Sequence, residues 1–152
     1  MTERTNRAPA SSAAATGAAS EAASPARPAM LVIDDELGPR ESLRMLFKES
    51  YDVVCAASGD EGVAALKART ADIIILDLKM PGKSGLDTLG EIRTVDEKVP
   101  VIILTGYGTI EAAKKAMDLG AIEFLSKQFD TAEMEQIVAT AIEKHNLRKT
   151  SE

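Results

Sequence analysis

The sequence predicts an α/β domain built on a parallel sheet with helices on both faces, and three observations carry that expectation. Short apolar runs alternate with segments of helical periodicity five times from Ala29 onward. The runs are continuously apolar rather than alternating, as strands covered on both faces should be. Four of the five end in polar groups, at Asp34-Asp35, Asp77, Thr105 and Lys127, and ligands of open parallel sheets sit beyond the carboxyl ends of the strands.

The elements follow in order. "AMLVID" is the first strand, and "PRESLRMLFKES" the first helix, with Leu43, Leu46 and Phe47 at helical spacing and Pro39 suited to the first turn. "DVVCAA" makes a second strand, running out in Ala56, Ala57 and Ser58, which offer little chemistry. "GDEGVAALKAR" is a helix with Val63 and Leu66 inward, "DIIIL" the third strand and "GLDTLGEIR" the third helix. "VPVIILT" is the fourth strand, and "TIEAAKKAMDLG" a helix closed by Gly120 at C′. "IEFLS" is the last strand, and the last helix buries Met134, Ile137, Val138, Ala141 and Ile142. His145 reads as a surface residue of that helix.

The bulk numbers set limits. A chain of 152 residues holds one compact domain plus a tail. Its net charge of −6 argues against a nucleic-acid-binding surface. The lone Cys55 precludes an internal disulfide and reads as a small buried strand residue, which suits a reducing, cytoplasmic setting. No apolar run reaches the ~18 to 20 residues needed to cross a bilayer, so no membrane partner is expected. Residues 1–28 are dominated by "RAPASSAAATGAASEAASPARP", a run with no aromatic or long aliphatic residue to bury, and are expected to be a disordered tail. The domain is placed at 29–148, with 149–152 as a C-terminal tail.

"IIILDLKMPGKSGLD" (73–87) admits two readings. "GKS" resembles the end of a P-loop, but the glycine that should open that loop is replaced by Asp77. Pro81 also removes one N–H from the cradle. "MPGKSG" reads instead as a turn, with Asp77 displayed at a strand end.

If the first and third strands are neighbours, Asp34, Asp35 and Asp77 converge. Two carboxylates about 4 Å apart repel by roughly 4 kcal/mol at an effective dielectric near 20, so such a site should hold a proton, a cation or both. All-oxygen donors suit Mg²⁺. With Lys127 and the Thr105 hydroxyl added, the groups match those that neutralise a phosphoryl group in transfer. The inferred chemistry is phosphoryl transfer to Asp77. Taken singly, Asp34-Asp35 could cap a helix, Thr105 could be an ordinary β-branched strand end, and Phe124 could be core.

"LVIDDE", "IIILDLKMPGKSGLD", "VIILTGYGT" and "EFLSK" resemble, in order and spacing, the signatures of response-regulator receiver domains of two-component signalling, over about residues 29–148. "LTGYGTIEAAKKAMDLGA" resembles receivers of sigma-54-type activators. The resemblance implies a flavodoxin-like sheet in the order 2-1-3-4-5. It implies that Asp77 accepts phosphate from a histidine kinase or phosphotransfer protein. Asp35, Asp77 and the Lys79 carbonyl would bind Mg²⁺, with Asp34 acting through water, and Thr105 and Lys127 would contact the phosphoryl oxygens. Phe124 would be the aromatic switch, and Lys79 and Tyr107 would tune phosphoryl lifetime. Downstream proteins would dock near the fourth and fifth helices. Such a domain is no enzyme beyond self-phosphorylation and autodephosphorylation.

One departure stands out. Where the family has proline in a cis peptide after the lysine, this chain has Gln128, and a cis bond there costs about 2.5–4 kcal/mol. The loop is expected either to bear that strain or to go trans and re-aim Lys127, with weaker phosphorylation; a phosphorylation-impaired docking module is the corresponding alternative. An aspartyl-nucleophile phosphatase of the haloacid-dehalogenase type would need a second Asp where Lys79 stands. A flavin binder would need a hydroxyl-rich first loop in place of "DDELG". After the last helix only "LRKTSE" follows, which leaves a stand-alone receiver or a segment of a longer regulator equally open.

Overall fold

The computed structural model describes residues 27–106 and 108–151, with side chains through Leu147. Residues 1–26 of the tail expected over 1–28, and the role assigned to Tyr107, lie outside the described residues. Among the described residues five strands and five helices alternate: β1 (Ala29–Ile33), α1 (Leu37–Phe47), β2 (Asp52–Ala56), α2 (Gly59–Ala68), β3 (Ile73–Leu76), α3 (Gly85–Val95), β4 (Val101–Thr105), α4 (Ile110–Asp118), β5 (Glu123–Ser126) and α5 (Thr131–Ser151). All four strand pairings are parallel, and the sheet order is β2-β1-β3-β4-β5. This is the doubly wound architecture expected from the sequence.

The continuous apolar runs are divided by the pleat, because successive side chains of a strand face opposite ways. Leu31, Ile33, Ile74, Leu76, Val101 and Ile103 pack with Val63, Leu66, Leu89, Ile92 and Ala116 of α2, α3 and α4. Met30, Val32, Ile73, Ile75, Ile102 and Leu104 pack on the other side, with Leu43 and Phe47 of α1 and Met134, Val138, Ala141 and Ile142 of α5. Caps close the helices as their chemistry suggests: the hydroxyls of Ser58, Ser84 and Thr109 accept N–H bonds at the starts of α2, α3 and α4. Gly120 follows α4 at φ +86°.

Several expectations change. Arg27 and Pro28 join the domain: the Arg27 guanidinium donates to the Lys48 carbonyl (3.0 Å), and the Pro28 carbonyl accepts from Asp52 N–H (2.9 Å). α5 continues through Ser151, past the boundary drawn at 148. His145 is buried rather than exposed, because it extends the inward stripe of α5 by one turn beyond Ala141 and Ile142. Cys55 is only half-buried, since β2 is an edge strand. Among the described residues no helix is long and apolar enough to cross a membrane.

Candidate functional site: an acidic crevice around Lys127

The sheet order reverses between β1 and β3, and that switch point opens a crevice at the carboxyl ends of the strands. Ile33 pairs with Leu76, so the next residues, Asp34 and Asp77, lie at adjoining strand ends. Their backbones are fixed by ladder-like bonds, Asp77 N–H to the Ile33 carbonyl (3.0 Å) and Asp34 N–H to the Ala56 carbonyl (3.1 Å). Each is only 3% exposed. Beyond Asp77 the chain turns back tightly, with Leu78 and Met80 buried in the core and Gly85 N–H bonded to the Leu78 carbonyl at 2.8 Å. A Cβ at position 85 would run into the Asp77 carbonyl oxygen and Leu78 Cα, so the close backbone approach requires glycine. Ser84 caps α3, and Lys83 is paired with Asp60 and Glu91. "GKS" is thus turn and cap chemistry.

Lys127, just beyond β5, supplies the positive charge at the centre. Its Nζ lies 3.0 Å from Asp34 Oδ2, 3.0 Å from Asp77 Oδ2 and 2.7 Å from Glu36 Oε1. Burial disfavours the ammonium, but the hydrogen bonds it donates to Glu36, Asp34 and Asp77 outweigh burial and hold Lys127 above its ordinary pKa. Burial raises the Asp34 carboxyl, helped by the charge of Asp77, while Glu36 N–H and Lys127 act the other way. Asp34 Oδ1 accepts that Glu36 N–H at 2.9 Å, and the Asp34 carbonyl accepts from Arg40 at 2.8 Å. The carboxylates whose oxygens gather within 4.8 Å are those of Asp34, Glu36 and Asp77. Asp35 lines the same crevice, half-buried. Sequence reasoning missed Glu36: it lies in the quoted "LVIDDE", but nothing local shows that the last strand will bring Lys127 to it.

The remaining candidates fall around this centre. Thr105 ends β4, is buried at 4% exposure, and lines a crevice of about 640 Å³ together with Asp35, Asp77, Lys79 and Lys127. Its carbonyl accepts Lys127 N–H at 3.2 Å. Lys79 N–H donates to Asp77 Oδ1 at 3.2 Å, which orients that carboxylate. Phe124 is half-buried beside Thr105: a Cβ on Gly108 would lie 2.7 Å from its ring and 3.7 Å from Thr105 Cγ2. Every peptide bond among the described residues is trans, including Lys127–Gln128. Gln128 N–H instead donates to Ser126 Oγ at 3.1 Å, a local turn that proline could not make.

The donor set fits a hard divalent cation. It is all oxygen, held by two rigid strand ends, and has room around it for water, as Mg²⁺ prefers. Chemically, the crevice offers a buried carboxylate as nucleophile, an ammonium in contact with it and a hydroxyl within the same walls.

An acidic crevice at the switch point of a 2-1-3-4-5 sheet defines a doubly wound protein of the flavodoxin-like class. The chain matches the response regulator receiver domain over residues 30–139. It is 34% identical over 110 residues to sporulation initiation phosphotransferase F of Bacillus subtilis (strain 168), spanning 72% of this chain and 89% of that protein. It is 38% identical over 116 residues to the transcriptional regulatory protein GlrR of Escherichia coli (strain K12), spanning 76% of this chain but only 26% of that protein. A response regulator receiver domain from Clostridium thermocellum superposes with a TM-score of 0.69 at 35% identity, covering 81% of this chain and 97% of the other. A receiver domain protein from Methanospirillum hungatei JF-1 superposes at 0.78 with 20% identity, covering 81% and 99%, a likeness of fold. The chain belongs to the response regulator receiver domain family of two-component systems.

Proposed function

We propose that the protein is a phosphorylatable switch, in which Asp77 takes a phosphoryl group from a phosphohistidine of a kinase or phosphotransfer protein. The observation that carries this reading is the 3.0 Å contact between Lys127 Nζ and a nearly fully buried Asp77 carboxylate. An Asp77 oxygen forms the new O–P bond as the P–N bond of the donor breaks. The imidazole leaves with the bond's electron pair and takes a proton from solvent. Lys127 and Thr105 border the place where the phosphoryl oxygens arrive, and both are of a kind to donate to them. Asp34, Asp35, Asp77 and the Lys79 carbonyl would hold Mg²⁺, with Glu36 in the same carboxylate cluster; bound there, the ion would offset charge on the phosphoryl oxygens.

The change at Asp77 reaches the surface through Thr105 and Phe124. A cleft of about 420 Å³ lined by Thr105, Gly108, Ile110 and Phe124 opens between α4 and β5. Ile110 is 83% exposed and Met117 47%. Apolar side chains left in solvent beside the half-buried Phe124 ring support protein docking on the face near α4 and α5. The protein then acts by docking, as a phosphoryl acceptor rather than a turnover enzyme, in the cytoplasm. The trans Lys127–Gln128 bond leaves Lys127 on Asp77, which favours this reading over an impaired docking module.

The test is intact-protein mass after incubation with acetyl phosphate and Mg²⁺. The wild type should gain a phosphoryl mass of about 80 Da that Asp77→Asn does not. Equal gain in both would place the acceptor elsewhere; no gain in the wild type would reject Asp77 as a phosphoryl acceptor.

A further inference from the structure

Lys127 is fully engaged in this structure. An ammonium carries three N–H donors, and three carboxylates meet it, Glu36 at 2.7 Å and Asp34 and Asp77 at 3.0 Å each. A phosphoryl group on Asp77 needs one of those donors, so one contact must give way. Asp34 and Asp77 are fixed by the strand ends, with side chains 4% and 3% exposed. The Glu36 side chain is 61% exposed and has three rotatable bonds leading to solvent. Its residue caps α1 without any side-chain bond to the helix, so its carboxylate has no part in holding the backbone.

We propose that Glu36 is a positioning residue that parks the Lys127 ammonium in the resting crevice and must release it before a phosphoryl group is accepted, thereby restraining phosphorylation. The inference rests on the reading of Asp77 given under Proposed function. Two consequences follow from the contacts. The parked carboxylate withholds a donor from the incoming group, and it adds a negative charge at the mouth that an anionic donor must approach. The first is lifted and the second weakened by solvent when Glu36 swings out, and neither needs Glu36 to ligate a cation.

Two readouts on the full-length chain separate the outcomes. The first is lysine labelling by an acetylating N-hydroxysuccinimide ester, read by peptide mass, with exposed Lys48 and Lys67 as internal references. The second is the initial rate of phosphoryl gain from acetyl phosphate in Mg²⁺. In Glu36→Gln, labelling of Lys127 relative to the references should rise several-fold and phosphorylation should speed by about 3- to 10-fold, about 0.7–1.4 kcal/mol at tenfold per 1.4. The gain should shrink at high salt, which screens the mouth charge. Glu36→Asp, too short to reach Lys127 fully, should fall between. Unchanged Lys127 labelling overturns the parking contact whatever phosphorylation does. Raised labelling with an unchanged or slower rate overturns the restraint. If Mg²⁺ affinity measured by calorimetry drops tenfold in Glu36→Gln, Glu36 is a cation ligand and the proposal fails. If neither wild type nor variant gains phosphate, the reading of Asp77 itself is rejected, and labelling identifies that failure as separate from the contact.

Discussion

At the residue scale, Asp34 and Lys127 carry opposite consequences for pH. The folded-state pKa of Asp34 lies above its unfolded value, with burial as the largest cause. Folding therefore favours the protonated carboxyl: that contribution is complete below the unfolded value, about 3.9, and is lost as pH rises through the folded one. Above the folded value, ionised Asp34 is a cost to the fold. Asp34→Asn keeps the shape and can still accept from Lys127 without the charge. Its thermal midpoint at pH 7 should exceed that of wild type by a few degrees, and the difference should close as pH falls below about 4; a lower midpoint at pH 7 would show that the Lys127 pairing outweighs burial. Lys127 has the usual sign for a paired lysine, raised by Glu36, Asp34 and Asp77 against burial. Its stabilisation is present throughout the neutral range and is lost only under strongly alkaline conditions.

At the scale of elements, two short connections place the site. Arg93 of α3 donates to the carbonyls of Leu119 (2.8 Å), Gly120 (3.1 Å), Val99 (2.8 Å) and Asp96 (3.2 Å). It thereby ties the end of α4 to the entry of β4, the strand that carries Thr105. Truncation removes all four bonds and strands carbonyls in a half-buried corner. Arg93→Ala should lose about 2 kcal/mol in urea melts, and an unchanged midpoint would show water replacing the guanidinium at no cost. The second connection is the Ser126–Gln128 turn after β5. Gln128→Pro deletes the N–H that Ser126 Oγ accepts, an exposed bond contributing about 1 kcal/mol or less. Because Lys127 already touches Asp77 across a trans bond, the phosphorylation rate should change less than about threefold, or ~0.7 kcal/mol. A rise beyond tenfold would restore the expectation from sequence that Gln128 weakens the site.

At the scale of the whole molecule, folding and the site are linked through a cluster of like charges drawn together by the sheet. A cation that binds only the folded state stabilises it by about 2.7 kcal/mol at a hundred times its Kd. Adding Mg²⁺ should therefore raise the thermal midpoint of the wild type, and the rise should be much smaller in Asp77→Asn; equal rises would place the cation outside the crevice. The parallel sheet and its five strand ends were legible in the chain because each strand announces itself by a continuous apolar run; the strand order came from the family that the motifs at those ends resemble. Asp34, Asp77, Thr105 and Lys127 were legible for the same reason: a polar residue closing an apolar run is a local signal. Glu36 was not, since it meets Lys127 across 91 residues of sequence. His145 was misread because a single polar residue on a helix does not reveal that the buried face continues under it. The fate of the Lys127–Gln128 bond depended on whether β4 and β5 could bring Lys127 to Asp77 with the bond trans, and they do. Periodicity thus defines the strands, and the motifs at their ends carry the family and the candidate acids. Contacts among distant strand ends assign which carboxylate holds the lysine, because hydrogen bonds and charges act over a few ångströms of space and take no account of separation along the chain.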